Sequence, residues 1–504
     1  MPQVLIKFFV AFVCCLSIAP ITVAQEGYYR GQAYPFIRED LNEITNQNKG
    51  LKQFYRQLQK LESGKTKRIN IVHIGDSHIQ ADWFSGMLRM NLQKRFGSAG
   101  RGLIFPYAVA KTNGPYDLYS SSNTRWESRR NSRSYPQSLK TGISGMGLRT
   151  ENPNFQLKVR LEENPYELDY SFNRITFFAE QGPINFDWQV SPYAFSKQKP
   201  YAKQRENGEE KKPEFHIIES GDNLTRVAKR YGLTVEELKN LNGLESSTIY
   251  AGQKLIVSRS GAASSWQYNN NYKDADPFML NRFFVPISDR SMMGNFHSIA
   301  WEDPSKEFYL RATKNTRLQS QSILYGMVLE NTEEAGVLYH MIGVNGAEFK
   351  HFNQSGIFWK QVKALNPDLI IISLGTNESV HRYFNPNNFF EQIDEFINDL
   401  EKNIPFTDIL FTTPPEALRS GSTENPTVRR CKNIILSYSL ANELACWDFF
   451  EIMGGSGSIH QWKDAYLAQQ DYLHLTRAGY ELQGKLLYRA LMKGYGDFRM
   501  AESK

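Results

Sequence analysis

Arg68-Ile-Asn-Ile-Val-His-Ile-Gly-Asp-Ser-His-Ile-Gln80 is the stretch on which the reading of this chain turns. Its apolar, β-branched run from Ile69 to Ile74 has the length of a strand buried on both faces, and Gly75 breaks it. Helical spacing resumes with Phe84, Leu88, Leu92 and Phe96, so the next element is expected to pack back on the strand through that face. A strand, a tight turn and a helix set the turn at the carboxyl end of a parallel sheet, where open α/β folds place their ligands. Ser77 is therefore the candidate nucleophile. The competing reading is that Asp76 or Ser77 merely caps the helix.

Three downstream stretches decide between these. Leu369-Ile-Ile-Ile-Ser-Leu-Gly-Thr-Asn-Glu-Ser379 repeats the pattern of apolar strand and glycine, with Asn377 at the strand end. Asp471-Tyr-Leu-His474 supplies a carboxylate and an imidazole just before a helix that Thr476 is placed to cap. Gly346 lies in Ile342-Gly-Val-Asn-Gly-Ala347. Taken in order, these four blocks resemble the SGNH (GDSL) hydrolase family, over residues 35 to 105 and 335 to 497.

The resemblance implies roles. A serine hydroxyl needs a base within hydrogen-bond reach, which would be His474, with Asp471 holding its ring in the right tautomer. Other histidines compete: His73 is expected to point into the sheet, His78 to stand behind the nucleophile, and His340 and His351 to line the pocket on either side of Gly346. The family's oxyanion donors would be the backbone amides of Ser77 and Gly346 and the side chain of Asn377, with Gly343 a nearby alternative to Gly346. Such chemistry calls for no cofactor and no metal, and no zinc-type spacing exists.

At the start of the chain, Lys7 precedes an apolar core from Phe8 to Ile18, and Thr22-Val-Ala24 closes it. This reads as a secretory signal over residues 1–24 with cleavage after Ala24. The core is shorter than the roughly 20 residues a membrane span needs, and Pro20 interrupts the chain just after it, so no stable membrane insertion is expected. Cys14 and Cys15 fall inside the signal without the small residues expected before a lipidated cysteine. Cys431 and Cys446 are the remaining cysteines, too few for a disulfide framework, and are expected as buried thiols. A net charge of +6 over 504 residues, with Lys and Glu interspersed, gives no nucleic-acid signature. The length predicts more than one domain.

Between Arg38 and Leu61 a helix is expected, with Phe54, Leu58 and Leu61 on one face. The first hydrolase segment then runs from 25 to 105. From 106 to 196 alternation replaces helical periodicity, as in Phe155-Gln-Leu-Lys-Val-Arg-Leu161 and Arg174-Ile-Thr-Phe-Phe178, and it resumes over 272–332 in Arg282-Phe-Phe-Val-Pro-Ile287, Phe308-Tyr-Leu-Arg-Ala312 and Ile323-Leu-Tyr-Gly-Met-Val328. One wet face per strand indicates antiparallel sheets, and a β-sandwich split by an insertion is the simplest account. From 333 to 504 strands and helices alternate again, with helical faces such as Phe389, Ile393, Phe396 and Leu400, and a strand Asp408-Ile-Leu-Phe-Thr-Thr413. The fold class expected is α/β: a doubly wound parallel-sheet hydrolase domain with the β-sandwich inserted between its first and second strands.

The insertion within the sandwich lies between a charged linker, Lys197 to Pro213, and a Ser/Gly/Ala/Asn-rich one, Ser258 to Asn271. Over 214–258 the chain reads Phe215-His-Ile-Ile-Glu-Ser-Gly-Asp-Asn-Leu224, two helices through Val227 and Leu238, and Ile249-Tyr-Ala-Gly-Gln-Lys-Leu-Ile-Val257. This β-α-α-β unit resembles a LysM module. LysM modules bind the N-acetylglucosamine-containing glycans of peptidoglycan and chitin, and the resemblance puts the contacts on Gly221, Asp222, Asn223, Leu224, Asn242 and Ile249. The family often has Thr or Ser where Asn223 stands.

Together these resemblances imply a secreted esterase of the bacterial cell envelope or periplasm that removes O-acetyl groups from N-acetylmuramic acid in peptidoglycan. The alternatives are an esterase on another acetylated polysaccharide such as xylan, an acetyltransferase using the same triad, and a non-catalytic glycan-binding protein.

Overall fold

The computed structural model describes residues 34–133, 139–163, 168–193, 215–218, 222–242, 249, 254–257, 278–280, 296–419, 421 and 423–502. The signal stretch 1–24, both linkers, Gly221 and the expected strand Arg282–Ile287 lie outside the described residues.

Six strands make the central sheet: β1 Ile44–Thr45, β2 Arg68–Gly75, β3 Gly336–Gly343, β4 Leu369–Ser373, β5 Asp408–Thr412 and β6 Ala445–Trp447. Their spatial order is β1-β6-β5-β4-β2-β3. All neighbours run parallel except β1, which pairs antiparallel with β6 at the edge. Consecutive side chains of a strand point to opposite faces, and every residue of β3 is buried, as are the last five of β2. The sheet is thus covered on both sides, which explains the continuous apolar runs. With the short edge strand set aside, the parallel strands take the 2-1-3-4-5 order, whose topological switch point falls between β2 and β4. Ser77 follows one of these strands and Asn377 the other.

The helix α1, Lys52–Glu62, buries Phe54, Tyr55, Leu58 and Leu61, the face expected. The stretch before it is not one helix: residues 44–45 form β1 and residues 47–50 a separate turn of helix, with Asn46 at φ +55° between them. A two-residue strand leaves no periodicity to read.

After a single helical turn at Ser77–Gln80, helix α2 spans Trp83–Phe96. Phe84, Leu88, Leu92 and Phe96 are buried as expected, but so are Ser85, Gly86, Met87, Arg89, Met90 and Gln93. The C-terminal helix explains the difference: a Cβ on its Gly484 would lie 2.7 Å from Met87 and 2.8 Å from the Phe84 carbonyl, so the two helices touch backbone to backbone. Helices α3 Pro386–Asn403, α4 Pro426–Ala441 and α5 Arg477–Glu502 complete the layers. Cys431 and Cys446 are buried free thiols.

Two antiparallel sheets occupy the interval between β2 and β3. One contains 118–122, 156–161, 187–191, 278–280 and 307–313; the other contains 127–130, 146–150, 172–179, 296–305 and 322–330. Phe177 of the second sheet lies edge-on to Phe308 and Trp188 of the first, at 5.9 and 5.8 Å between ring centres. Gly102–Ile104 pairs antiparallel with Met327–Leu329 of the second sheet.

Within the interval, Phe215–Ile217 pairs antiparallel with Lys254–Ile256, and helices Leu224–Arg230 and Val235–Asn242 lie between them in sequence. Ile218, Leu224, Val227, Leu238, Leu255 and Val257 form a hydrophobic cluster separate from the main core.

Candidate active site

The turn after β2 has no room for a side chain at position 75. A Cβ on Gly75 would meet Ile79 at 2.3 Å and the Ser373 carbonyl at 2.9 Å. Asp76 then caps the turn, its Oδ1 accepting the His78 N–H at 2.9 Å. Capping is therefore performed by Asp76, and the hydroxyl of Ser77 is left to point elsewhere. Ser77 Oγ stands 3.0 Å from His474 Nε2, and His474 Nδ1 stands 2.7 Å from Asp471 Oδ2. The other Asp471 oxygen accepts the backbone N–H groups of Leu473 and His474, both at 3.0 Å, which fixes the carboxylate before the imidazole meets it. Burial works to raise the Asp471 pKa, but the hydrogen bonds from the His474 ring and these amides hold it below the ordinary value. Thr476 caps α5, its hydroxyl accepting the Gly479 N–H at 3.2 Å, so the loop bearing His474 is anchored directly behind it.

A pocket of about 470 Å³ opens over this array and is lined by Ser77, His474, Gly346 and Asn377, with Trp83 and Arg477 on its wall. Gly346 sits at φ +77°, a conformation suited to glycine. The residue before it is held on both sides. Gln80 Oε1 accepts the Asn345 N–H at 2.6 Å, and Ser132 Oγ donates to the Asn345 carbonyl at 2.7 Å. That carbonyl belongs to the same peptide group as the Gly346 N–H, so Ser132 orients the donor's peptide directly and Gln80 fixes the residue that precedes it. Gly343 ends β3 against the Gln80 backbone and does not line the pocket.

Asn377 reaches the pocket, yet its amide nitrogen donates to Asp76 Oδ2 at 3.0 Å and to the Ala347 carbonyl at 2.9 Å. Both amide protons are engaged. A bond to an oxyanion from this group has to share or displace one of them. Burial raises Asp76 to about 7, opposed by the His78 amide and by His474, and raises nearby Glu378 to about 8.

The rival histidines are accounted for by their partners. His73 is fully buried between Tyr339 OH at 2.6 Å and Ser373 Oγ at 2.7 Å, and burial lowers it to about 3. His78 stacks on His474 with ring centres 5.3 Å apart and meets Tyr480 OH through Nδ1 at 2.9 Å; burial lowers it to about 3 as well. His340 and His351 do not line the pocket, contrary to expectation. His340 is buried within β3, and His351 Nδ1 accepts the Glu348 N–H at 2.9 Å to close a capping box. His340 is a buried mid-strand residue of β3 and His351 lies in the helix Phe349–Asn353 that follows Gly346, so proximity to Gly346 in sequence does not carry either ring into the pocket.

In the module at 215–257, Asn223 caps its first helix by accepting the Arg226 N–H at 2.9 Å, and Asp222 Oδ2 meets His216 Nε2 at 2.7 Å. Asn242 donates to the Leu238 carbonyl at 2.9 Å, and Ile249 packs on the module's core. Leu224 is only 2% exposed, so its side chain serves that core rather than presenting a surface to glycan.

Sequence reasoning does not single out Gln80, Ser132, Trp83 or Arg477. The first two act through hydrogen bonds across long sequence separations, and no local pattern signals them. A lone tryptophan just after the nucleophile turn is the one readable hint.

Residues 323–482 match the model of the GDSL-like lipase/acylhydrolase family, a span that includes Gly346, Asn377, Asp471 and His474 but not Ser77; residues 216–258 match the LysM domain. Among curated proteins, a probable peptidoglycan endopeptidase, LytE, of Bacillus subtilis is 48% identical over 48 residues, 10% of this chain and 14% of that protein. An N-acetylmuramoyl-L-alanine amidase, sle1, of Staphylococcus saprophyticus is 48% identical over 54 residues, 11% of this chain and 16% of that protein. These alignments thus span less than a fifth of either relative. A solved structure titled as a peptidoglycan O-acetylesterase in action superposes with a TM-score of 0.59 at 16% identity, over 88% of this chain and 96% of that one, which shows a shared fold. The chain therefore carries a GDSL-like lipase/acylhydrolase domain together with a LysM domain.

Proposed function

We propose that the protein is an exported cell-envelope esterase that removes O-acetyl groups from N-acetylmuramic acid in peptidoglycan by a Ser-His-Asp mechanism. The observation that carries this reading is the Ser77–His474–Asp471 relay, with separations of 3.0 and 2.7 Å, facing a pocket in a chain that also holds a LysM domain. In the mechanism, Ser77 Oγ attacks the acetyl carbonyl carbon while His474 Nε2 takes its proton. Negative charge that develops on the carbonyl oxygen meets the backbone N–H groups of Ser77 and Gly346 and the Asn377 amide. His474 returns the proton to the sugar oxygen, which leaves, and an acetyl-Ser77 ester remains. Water, deprotonated by His474, then attacks the acetyl carbonyl, and His474 returns that proton to Ser77 Oγ as its bond to the acetyl carbon breaks and acetate leaves. Asp471 keeps the ring oriented through both halves of the cycle.

The two antiparallel sheets are read as one β-sandwich inserted in the hydrolase domain, and the β-α-α-β unit at 214–258 as a module that holds the enzyme on its insoluble substrate. Export rests on the composition of residues 1–24 and on the glycan such a module would find outside the cytoplasm. Among the described residues no helix is long and apolar enough to cross a membrane. The test is acetate release from O-acetylated peptidoglycan compared with acetylated xylan at equal ester concentration. Faster release from xylan overturns the substrate assignment.

A further inference from the structure

Trp83 and Tyr116 stack at the edge of the active-site pocket with ring centres 4.4 Å apart and planes 5° from parallel. The Arg477 guanidinium lies 4.4 Å from the Trp83 ring centre and 5.4 Å from that of Tyr116. Groups stacked on opposite faces of an indole would be about 7 Å apart or more. Tyr116 and Arg477 therefore share one face of Trp83 rather than enclosing it. Trp83 and Arg477 both line the pocket that contains Ser77, and both aromatic rings are partly exposed.

The two aromatic residues come from different parts of the chain, and what joins them is a buried ion cluster. Asp82 precedes Trp83 and Asp117 follows Tyr116. Arg101 binds both: Nη2 donates to Asp82 Oδ2 at 2.5 Å and to Asp117 Oδ1 at 2.9 Å, and Nε donates to Asp117 Oδ2 at 2.6 Å. Arg89 Nη1 adds a bond to Asp82 Oδ1 at 3.1 Å. All four side chains are at most 3% exposed. Apolar residues of similar volume would commonly fill such a space at no loss of stability, so a buried quartet of charges is poorly explained by stability alone. Its geometric effect is to fix the chain on either side of the Trp83–Tyr116 stack.

The pocket that Trp83 lines also includes Asn113, Asn345 and Gln469. An apolar ring face in a pocket lined by amides complements a pyranose, whose C–H face is apolar and whose edges carry hydroxyls. The geometry points to the open face of Trp83, with Tyr116 and Arg477 supporting the ring from behind, as the subsite that receives the sugar ring bearing the ester. The buried Asp82–Arg101–Asp117 cluster positions the subsite relative to Ser77. This inference rests on the proposed reading that the substrate is an acetylated glycan.

The test compares kcat/KM of wild type, Trp83→Ala, Trp83→Tyr and Arg477→Ala on two substrates: p-nitrophenyl acetate, and whichever of O-acetylated peptidoglycan fragments or acetylated xylo-oligosaccharides the wild type deacetylates faster. The ratio of glycan to small-ester kcat/KM is expected to fall about tenfold or more in Trp83→Ala and Arg477→Ala, mostly through KM, and to recover largely in Trp83→Tyr, which keeps an aromatic face. Melting temperatures establish that each variant is folded, and Arg477→Ala, at an exposed position, carries the test if Trp83→Ala does not fold. An unchanged ratio in folded variants overturns the subsite. A wild type that prefers xylan overturns the peptidoglycan assignment alone, since the ratio is still measured on the xylan substrate.

Discussion

Asn377 donates one amide proton to Asp76 at 3.0 Å and the other to the carbonyl of Ala347 at 2.9 Å, so the residue next to Ser77 sets which way the amide faces. Two acceptors fix the nitrogen, not the oxygen, toward this side of the pocket. A donor held in place before the reaction begins is worth most in the transition state, when charge reaches the carbonyl oxygen. Asn377→Ala is accordingly expected to lower kcat about a hundredfold or more with little change in KM. Steady-state kinetics on a soluble acetyl ester decide this, and a change confined to KM would make Asn377 a substrate-binding residue instead.

Ser77→Ala removes the hydroxyl that stands 3.0 Å from His474 Nε2 at the strand end. Activity on a small acetyl ester should fall by several orders of magnitude, as is usual for loss of a member of such a relay, with the melting temperature little changed. Residual activity within about tenfold of wild type would rule Ser77 out as nucleophile.

The hydrolase sheet is legible in the sequence because its strands are largely buried on both faces and are therefore written as predominantly apolar runs, as in Ile69 to Ile74, and without a break in Leu369 to Ile372. Ser77, Gly346, Asn377, Asp471 and His474 are legible because each sits at the end of such a run or at a helix cap. What escapes is whatever depends on contacts distant in sequence. Ile44–Thr45 is a strand only because the edge of β6 is there to pair with it. Arg89 and Arg101 look like solvated charges, and only the fold shows that Asp82 and Asp117 await them in the interior. Leu224, nominated with its loop as a glycan contact, lies in its module's core because it opens an amphipathic helix.

Glu378 gives a prediction about pH. Burial holds its carboxyl up to about 8 against an ordinary value of 4.5, and the Phe349 N–H that it accepts at 3.0 Å only partly offsets this. The native state thus keeps the proton across a window in which the unfolded chain has lost it, so stability falls as pH rises from 4.5 toward 8. Asp76, raised to about 7, acts with the same sign. Glu378→Gln keeps an acceptor for Phe349 and removes the ionisation. Its melting temperature relative to wild type should therefore rise between pH 5 and pH 8, by the equivalent of about 2 kcal/mol or more at one pH unit per 1.4 kcal/mol. Melting curves of the two proteins that stay parallel across this range would refute the assignment.

The LysM module separates binding from catalysis. Its hydrophobic cluster, including Leu224, Val227, Leu238 and Leu255, is distinct from the core beneath the active site, and none of its described residues lines the pocket that holds Ser77 and His474. A module with its own core is expected to contribute no group to the relay and, on the proposed function, to raise the local concentration of enzyme on an insoluble glycan. Deleting residues 213–258 and joining the flanks should leave hydrolysis of a small soluble ester nearly unchanged. The same deletion should weaken co-sedimentation with peptidoglycan sacculi and slow acetate release from them, by about tenfold or more if the module supplies most of the avidity. Collapse of small-ester hydrolysis in a protein that remained folded would mean that the module shapes the active site. Undiminished sacculus binding would instead assign glycan capture to the antiparallel sheets between β2 and β3, and retention of the small-ester activity alongside it would leave the Ser77 relay independent of both.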